Sequence, residues 1–148
     1  MTFTLEKLVD SICGTLKESY PDIPTYSNPN QQGTDIPCFF VFFMPAETEN
    51  RVGCRFMRNI GMDIIYLVEK SDPDAHDQLV FVADQLDFAL ELIPYEGGKL
   101  RTYDREWKID DGELHYQFTV KATVSYPDNT PSIESMESYK GGINQYGN

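Results

Sequence analysis

One uninterrupted alternation in the last third of the chain constrains its fold more than any other feature. Apolar and polar residues alternate from Leu114 to Tyr126, which is typical of a β-strand with one buried face and one face turned to solvent or to a partner. The preceding segment, Asp110-Asp111-Gly112, is a turn signal, because glycine accepts positive φ angles. We therefore expect a long antiparallel hairpin that needs another element across its apolar side. On its first strand we expect one face to carry Tyr103, Arg105, Trp107 and Ile109.

Two segments have the spacing of amphipathic helices that provide such a cover. The first runs from residue 4 to residue 20 and stops before Pro21, because a residue that precedes proline resists the α conformation. The second begins with Asp72 as N-cap and Pro73 as its first helical residue, and it is predicted to run to Ile93. We expect this second helix to lie across the hairpin. Its opposite side is acidic and carries Asp77, Asp84, Asp87 and Glu91.

Two further strands are predicted between the helices, after a short edge strand at residues 25–27. Residues 38–44 are apolar at every position, which predicts a central strand covered on both faces by helices or by another subunit. The next strand, from about residue 54 to 69, is longer than the usual ~5–6 residues. Its first half is therefore expected to project as an arm, with a bulge or bend at Gly61.

The predicted fold is α+β, in the order α-β-β-β-α-β-β, with a mostly antiparallel sheet and two helices packed on it. Residues 1–127 are expected to form a single domain. Residues 128–148 are rich in glycine, serine and asparagine and lack periodicity, so they are expected to form an extended or flexible C-terminal tail.

The charge balance and the cysteines exclude several classes of protein. A net charge of −12 is unfavourable for binding nucleic acid phosphates or anionic membranes, so neither partner is expected. The longest apolar run is too short to span a membrane, and the first residues do not resemble a signal peptide. Three unevenly spaced cysteines indicate neither a disulfide framework nor a zinc site.

Candidate chemistry is sparse. His76 lies beside Asp72, Asp74 and Asp77, a set that can share a metal ion, although acidic residues also favour helix N-termini for electrostatic reasons alone. His115 is expected on the polar face of its strand, solvated or at an interface. Common phosphate-binding, zinc and nucleophile motifs are absent from the sequence. We therefore expect no catalytic residues, no metal and no cofactor.

The distribution of charge points instead to contacts between copies of the chain. Arginines cluster in the expected arm, whereas the second helix is acidic, which suits head-to-tail contact between identical subunits. A locally mixed, solvated loop is the alternative interpretation. Spaced apolar residues in the C-terminal tail can also order against a partner. The predicted subunit or tube interface consists of Glu47, Glu49, Arg51, Arg55, Arg58, Tyr139 and Ile143.

These features together resemble the tail terminator family of Gram-positive phages and phage-like contractile particles. The resemblance rests on the N-terminal helix, the wholly apolar strand, the long strand that enters a proline-started helix, and the Tyr-Asp-Arg strand at residues 103–105. Its most specific part is Asp111-Gly112-Glu113-Leu114-His115, and it covers about residues 3 to 126.

The resemblance implies a structural protein of a virion or phage-tail-like particle, assembled in the bacterial host cytoplasm. Members of this family form a hexameric ring on the end of the tail tube, stop its polymerisation and meet the head, collar or last sheath ring. The implied partners are further copies of the chain, the tail tube protein, and the sheath, head or collar proteins. A neck or head-closure protein of the same kind of particle, and a small metal-dependent enzyme using His76, remain as alternatives.

Overall fold

Two helices and one six-stranded sheet make up the computed structural model, which describes residues 3–27, 35–50, 53 and 55–125 but not the side chains of residues 45–47, 49 and 50. The elements in chain order are α1 (Leu5–Ser19), β1 (Thr25–Tyr26), β2 (Cys38–Asn50), β3 (Arg55–Leu67), α2 (Ala75–Ala89), β4 (Leu92–Tyr95), β5 (Gly98–Asp110) and β6 (Glu113–Ser125). The sheet order is β1-β2-β3-β6-β5-β4, with only the β1–β2 pair parallel within the described strands. The predicted α+β class is confirmed. The predicted tail at residues 128–148 lies outside the described residues.

The hairpin of β5 and β6 forms around the predicted turn. Asp111 and Gly112 both have positive φ angles, 52° and 73°, as a two-residue turn between twisted strands requires. Tyr103 and Trp107 do not share a face of β5, so the prediction is wrong for Tyr103. Trp107 pairs with the core residue Tyr116, whereas Tyr103 pairs with Thr119, which is not a core residue. A bulge between Tyr103 and Glu106 inserts one extra residue and so reverses the alternation of faces along β5.

Both helices pack on the same face of the sheet, and their apolar stripes fill one core. Thr4 caps α1, because its Oγ1 accepts a hydrogen bond from the backbone nitrogen of Lys7 at 3.1 Å. α2 lies across the hairpin as expected, with Leu79, Val82 and Leu86 buried. The sheet residues in this core include Phe39, Val41, Met62, Ile64, Tyr66, Leu114, Tyr116 and Phe118.

The second helix is shorter at both ends than predicted. It starts at Ala75, because Asp72 and Pro73 form a turn before it, and it ends at Ala89. Residues 92–95, expected to finish the helix and begin a turn, instead form β4 and add a strand to the predicted order. A tight turn with positive φ angles at Glu96 and Gly97 folds β4 onto β5. Pro94 is tolerated because β4 is at the edge of the sheet.

The wholly apolar segment, residues 38–44, forms the first half of β2, and this strand is not central. It lies second from the edge, between the two-residue β1 and the long β3. The bulge expected at Gly61 is on the neighbouring strand instead, since the register of β2 and β3 shifts between Phe43 and Ala46, opposite that glycine.

Candidate assembly surfaces

Three strands continue beyond the rest of the sheet and form the predicted arm. The ladder between β5 and β6 reaches only the pair Thr102–Val120, whereas the β3–β6 ladder continues to Arg55–Ser125. The β2–β3 ladder also continues, to the pair Asn50–Phe56. We call residues 46–50, 55–59 and 121–125 the arm. It is about 16 Å long at ~3.3 Å per residue.

The two described arginines of the arm belong to opposite faces. Positions 55 and 58 differ by an odd number, so their side chains alternate across the sheet. Arg58 shares the helix side with Phe56, and its guanidinium carbon lies 5.4 Å from the centre of that ring, which is within cation–π distance. Arg55 is exposed on the opposite side. The cluster seen in the sequence is therefore divided between two surfaces.

The remaining predicted interface residues are only partly described. In the register of β2 and β3, Glu47 pairs with Asn59 and Glu49 with Met57, which places both glutamate positions in the arm. Arg51, Tyr139 and Ile143 lie outside the described residues.

The face of the sheet opposite the helices, which we call the open face, has no helix on it in the described part of the chain. Two rings of β2, Phe40 and Phe42, stack there with centroids 5.6 Å apart, and Tyr26 contacts the first at 5.3 Å. By register, Ile65 and Leu67 of β3 lie beside them and remain half-buried. The core therefore covers only one face of the apolar part of β2.

His115 lies on the open face, as predicted from its place in the alternation. Its Nδ1 lies 3.1 Å from Oδ2 of Asp63, and its Nε2 lies 3.7 Å from Oε1 of Glu113. Among the described residues, the second carboxylate oxygen of Asp63 has no hydrogen-bond partner, although it is buried. This polar cluster borders the apolar strip of the open face.

The groups considered for catalysis have ordinary structural roles. Asp72 accepts hydrogen bonds from the backbone nitrogen of Asp74 at 2.9 Å and from Nε2 of Gln78 at 3.3 Å, so it stabilises the start of α2. No group of three or more His, Cys, Asp or Glu side chains suits a metal ion among the described residues. Burial raises the pKa values of the Cys13 and Cys38 thiols, which disfavours the reactive thiolate. Cys54 lies outside the described residues.

Comparison with known sequences decides the family. The sequence profile described as phage tail terminator protein matches residues 7–132. This chain belongs to the phage tail terminator family. The resemblance noted in the sequence is thereby confirmed. The protein has a structural role in a phage tail or a phage-tail-like particle. Among curated protein sequences, none matches this chain.

Two of the solved structures that match show distant similarity to this chain. A chain from the virion of a native gene transfer agent particle is 10% identical with a TM-score of 0.47, covering 82% of this chain and 93% of the other. A second solved chain is 14% identical with a TM-score of 0.42, covering 83% and 94% respectively. Within the described residues, no helix has the length and apolar character needed to cross a membrane.

The outer side of α2 carries a feature that sequence reasoning missed. Phe81 and Phe88 are 63% and 82% exposed, although phenylalanine is usually buried. The signal was present in the sequence, since both residues fall two positions after a core residue, Leu79 and Leu86, and so point away from the sheet. The second helix therefore presents aromatic rings as well as acids.

Proposed function

We propose that this protein forms a ring that caps the end of the tail tube and terminates its polymerisation. The ring then offers its free surface to the head, the collar or the last sheath ring. The match of residues 7–132 to the tail terminator family carries this proposal. The protein is assembled in the host cytoplasm and remains in the finished particle.

The proposed ring is a homo-hexamer built by heterologous contacts, in which one surface of a subunit meets a different surface of the next. The arm and the acidic α2 are different surfaces of one chain, which supports such a contact. The proposed interface to subunits or tube comprises Glu47, Glu49, Arg51, Arg55, Arg58, Tyr139 and Ile143. These residues act through shape and charge, and the protein performs no catalysis.

The strong negative charge suits a ring through which DNA passes. With a net charge of −12, acidic side chains around the channel repel phosphate, so DNA does not adhere to it. The proposed partners are accordingly proteins, namely the tube protein and the sheath, head or collar proteins.

The test is to incubate the purified protein with purified, uncapped tail tubes and then add fresh tube protein. We expect density at one end of each tube in electron micrographs and no further growth from that end. Tubes without the protein serve as the growing control. Continued growth from occupied ends would contradict the proposal, and binding only to tubes already capped would indicate a neck protein instead.

A further inference from the structure

A stripe of alternating acids and phenylalanines runs along the outer side of α2. Asp77, Phe81, Asp84 and Phe88 follow each other at spacings of four, three and four residues, which places them on one line of the helix. All four are exposed. The helix contains no lysine or arginine. We call this line the α2 stripe, and its chemistry fits a partner surface that offers cations separated by an apolar side chain.

The open face of the arm offers such a surface on the same chain. Arg55 is exposed there, and Lys121 of β6 lies beside position 59 of β3, four residues further along. The ammonium of Lys121 lies 4.6 Å from the centre of the Tyr103 ring, which fixes it on the open face. Met57 lies between the two cations along β3. Along β3 and β6 the sequence of groups is therefore cation, apolar side chain, cation, and the acidic positions 47 and 49 lie on the other side of β3, in β2.

The two surfaces also agree in spacing. Asp77 and Asp84 are seven helical residues apart, about 10.5 Å at ~1.5 Å per residue. Arg55 and position 59 are four strand residues apart, about 13 Å at ~3.3 Å per residue. The difference is smaller than the reach of a lysine or arginine side chain, so both ion pairs can form at once with Phe81 against Met57. Contacts between methionine sulfur and aromatic rings are favourable.

We infer that the α2 stripe of one copy docks on the open face of the arm of a second copy. Asp77 and Asp84 pair with the cations Arg55 and Lys121, in whichever of the two directions the helix lies, and Phe81 packs on Met57. The α2 stripe lies on the helix side of the sheet and the two cations on the other side, so subunits stack front to back. This inference rests on the proposed function, because the contact is the one from which the ring would be built.

The test measures the molar mass of the full-length protein by light scattering at several concentrations. The first variant, Phe81→Ser with Phe88→Ser, removes the aromatic part of the α2 stripe without touching the core. The second, Asp84→Lys, reverses one charge. Two further variants combine it with Lys121→Glu or with Arg55→Glu, because the direction of the helix decides which of these cations faces position 84. His76→Ser, at an exposed position of the same helix that is off the stripe, is the matched control. Circular dichroism checks that each variant is folded.

We expect the wild-type protein and His76→Ser to assemble alike. The aromatic variant and Asp84→Lys should need at least about tenfold higher concentration to assemble. Adding one of the two changes Lys121→Glu and Arg55→Glu to Asp84→Lys should recover most of this loss, and recovery by neither would overturn the inference. Normal assembly of the aromatic variant, or a wild-type protein that stays monomeric at every concentration, would overturn the inference. Assembly that depends on the α2 stripe but does not cap tubes would uphold the inference and contradict the proposed function.

Discussion

The hydroxyl of Tyr116 on β6 donates a hydrogen bond to Oδ1 of Asp87 on α2, with an oxygen–oxygen distance of 2.6 Å. Arg105 of β5 donates to the backbone carbonyl of the same aspartate. The two contacts join both strands of the hairpin to one position of the helix. Burial, followed by this hydrogen bond, raises the pKa of the Tyr116 phenol above its ordinary value of 10.0.

Replacing this tyrosine, Tyr116→Phe, should lower the free energy of unfolding at pH 7 by about 1–2 kcal/mol, because Asp87 loses its donor. The variant should also lose less stability in alkali. Below pH 10 both the folded and the unfolded state keep the phenol proton, but above it the unfolded state releases the proton first, so stability falls as pH rises. Urea denaturation at pH 7 and pH 11 measures both effects. Parallel loss of stability in the variant and the wild type would contradict the assigned role of the phenol.

A charge placed under α2 should prevent folding. Leu86 is fully buried, so Leu86→Asp would place an unpaired carboxylate in the core at a cost of more than about 4 kcal/mol. The matched control is Phe88→Asp, which adds the same charge to the same helix at a residue that is 82% exposed. We expect the first variant to be insoluble or unfolded and the second to melt cooperatively. A soluble, cooperatively melting Leu86→Asp protein would show that the helix is placed wrongly.

The arm can be tested by reversing its charges. We expect Arg55→Glu together with Arg58→Glu to weaken ring assembly or tube binding without loss of the fold. Since the two side chains lie on opposite faces, the single variants should differ, with Arg55→Glu accounting for the loss if neighbouring subunits meet the open face. Light scattering and tube binding measure the effect. Unchanged assembly of the double variant would exclude the arm as an interface.

Local patterns in the sequence were sufficient for most of the fold. The strict alternation in β6, the Asp111-Gly112 turn and the apolar stripe of α1 each predicted the observed element, because their local preferences and their packing agree. The prediction from the sequence failed where one extra residue in β5 changes the strand register. Asp104, with a φ angle of 53°, allows the bulge that moves Tyr103 to the open face, and nothing in residues 103–109 signals it.

The candidate surfaces were harder to predict than the fold. Charge counting found the arginines of the arm, but it could not show which of Arg55 and Arg58 faces the helices before the strand register was known. The hydrophobic pattern of α2 led us to treat its outer side as simply acidic, and Phe81 was overlooked there. Which surface meets which depends on a second subunit, and a single sequence contains no direct record of that geometry.

Two glycines should respond oppositely to alanine. Gly14 lies inside α1, and a Cβ atom added there meets no atom of the described residues within 4 Å, so Gly14→Ala should stabilise the protein by about 0.5–1 kcal/mol. Gly112 has a φ angle of 73°, and an added Cβ would lie 3.3 Å from the side chain of Lys70. Gly112→Ala should therefore destabilise the hairpin by about 1–2 kcal/mol. Thermal melting distinguishes the two signs, and equal shifts would contradict the assigned backbone geometry.

The end of α2 depends on one buried hydroxyl. Thr102 of β5 is 6% exposed, and its Oγ1 donates to the backbone carbonyls of Leu90 at 2.7 Å and Glu91 at 3.1 Å. Thr102→Val keeps the shape of the side chain but leaves these carbonyls without that donor. We expect a loss of about 1–3 kcal/mol in the free energy of unfolding, measured in urea.

Thr119→Val is the matched control for this hydroxyl, because it makes the same change in the adjacent strand, at a half-buried position of the open face. It should change stability by less than about 0.5 kcal/mol. Amide hydrogen exchange gives a second readout, since loss of the Thr102 hydroxyl should speed exchange in β4 and at the last turn of α2 more than in β6. Equal stability of the two valine variants would contradict this role of the Thr102 hydroxyl. Backbone hydrogen bonds alone would then stabilise the connection between α2 and β4.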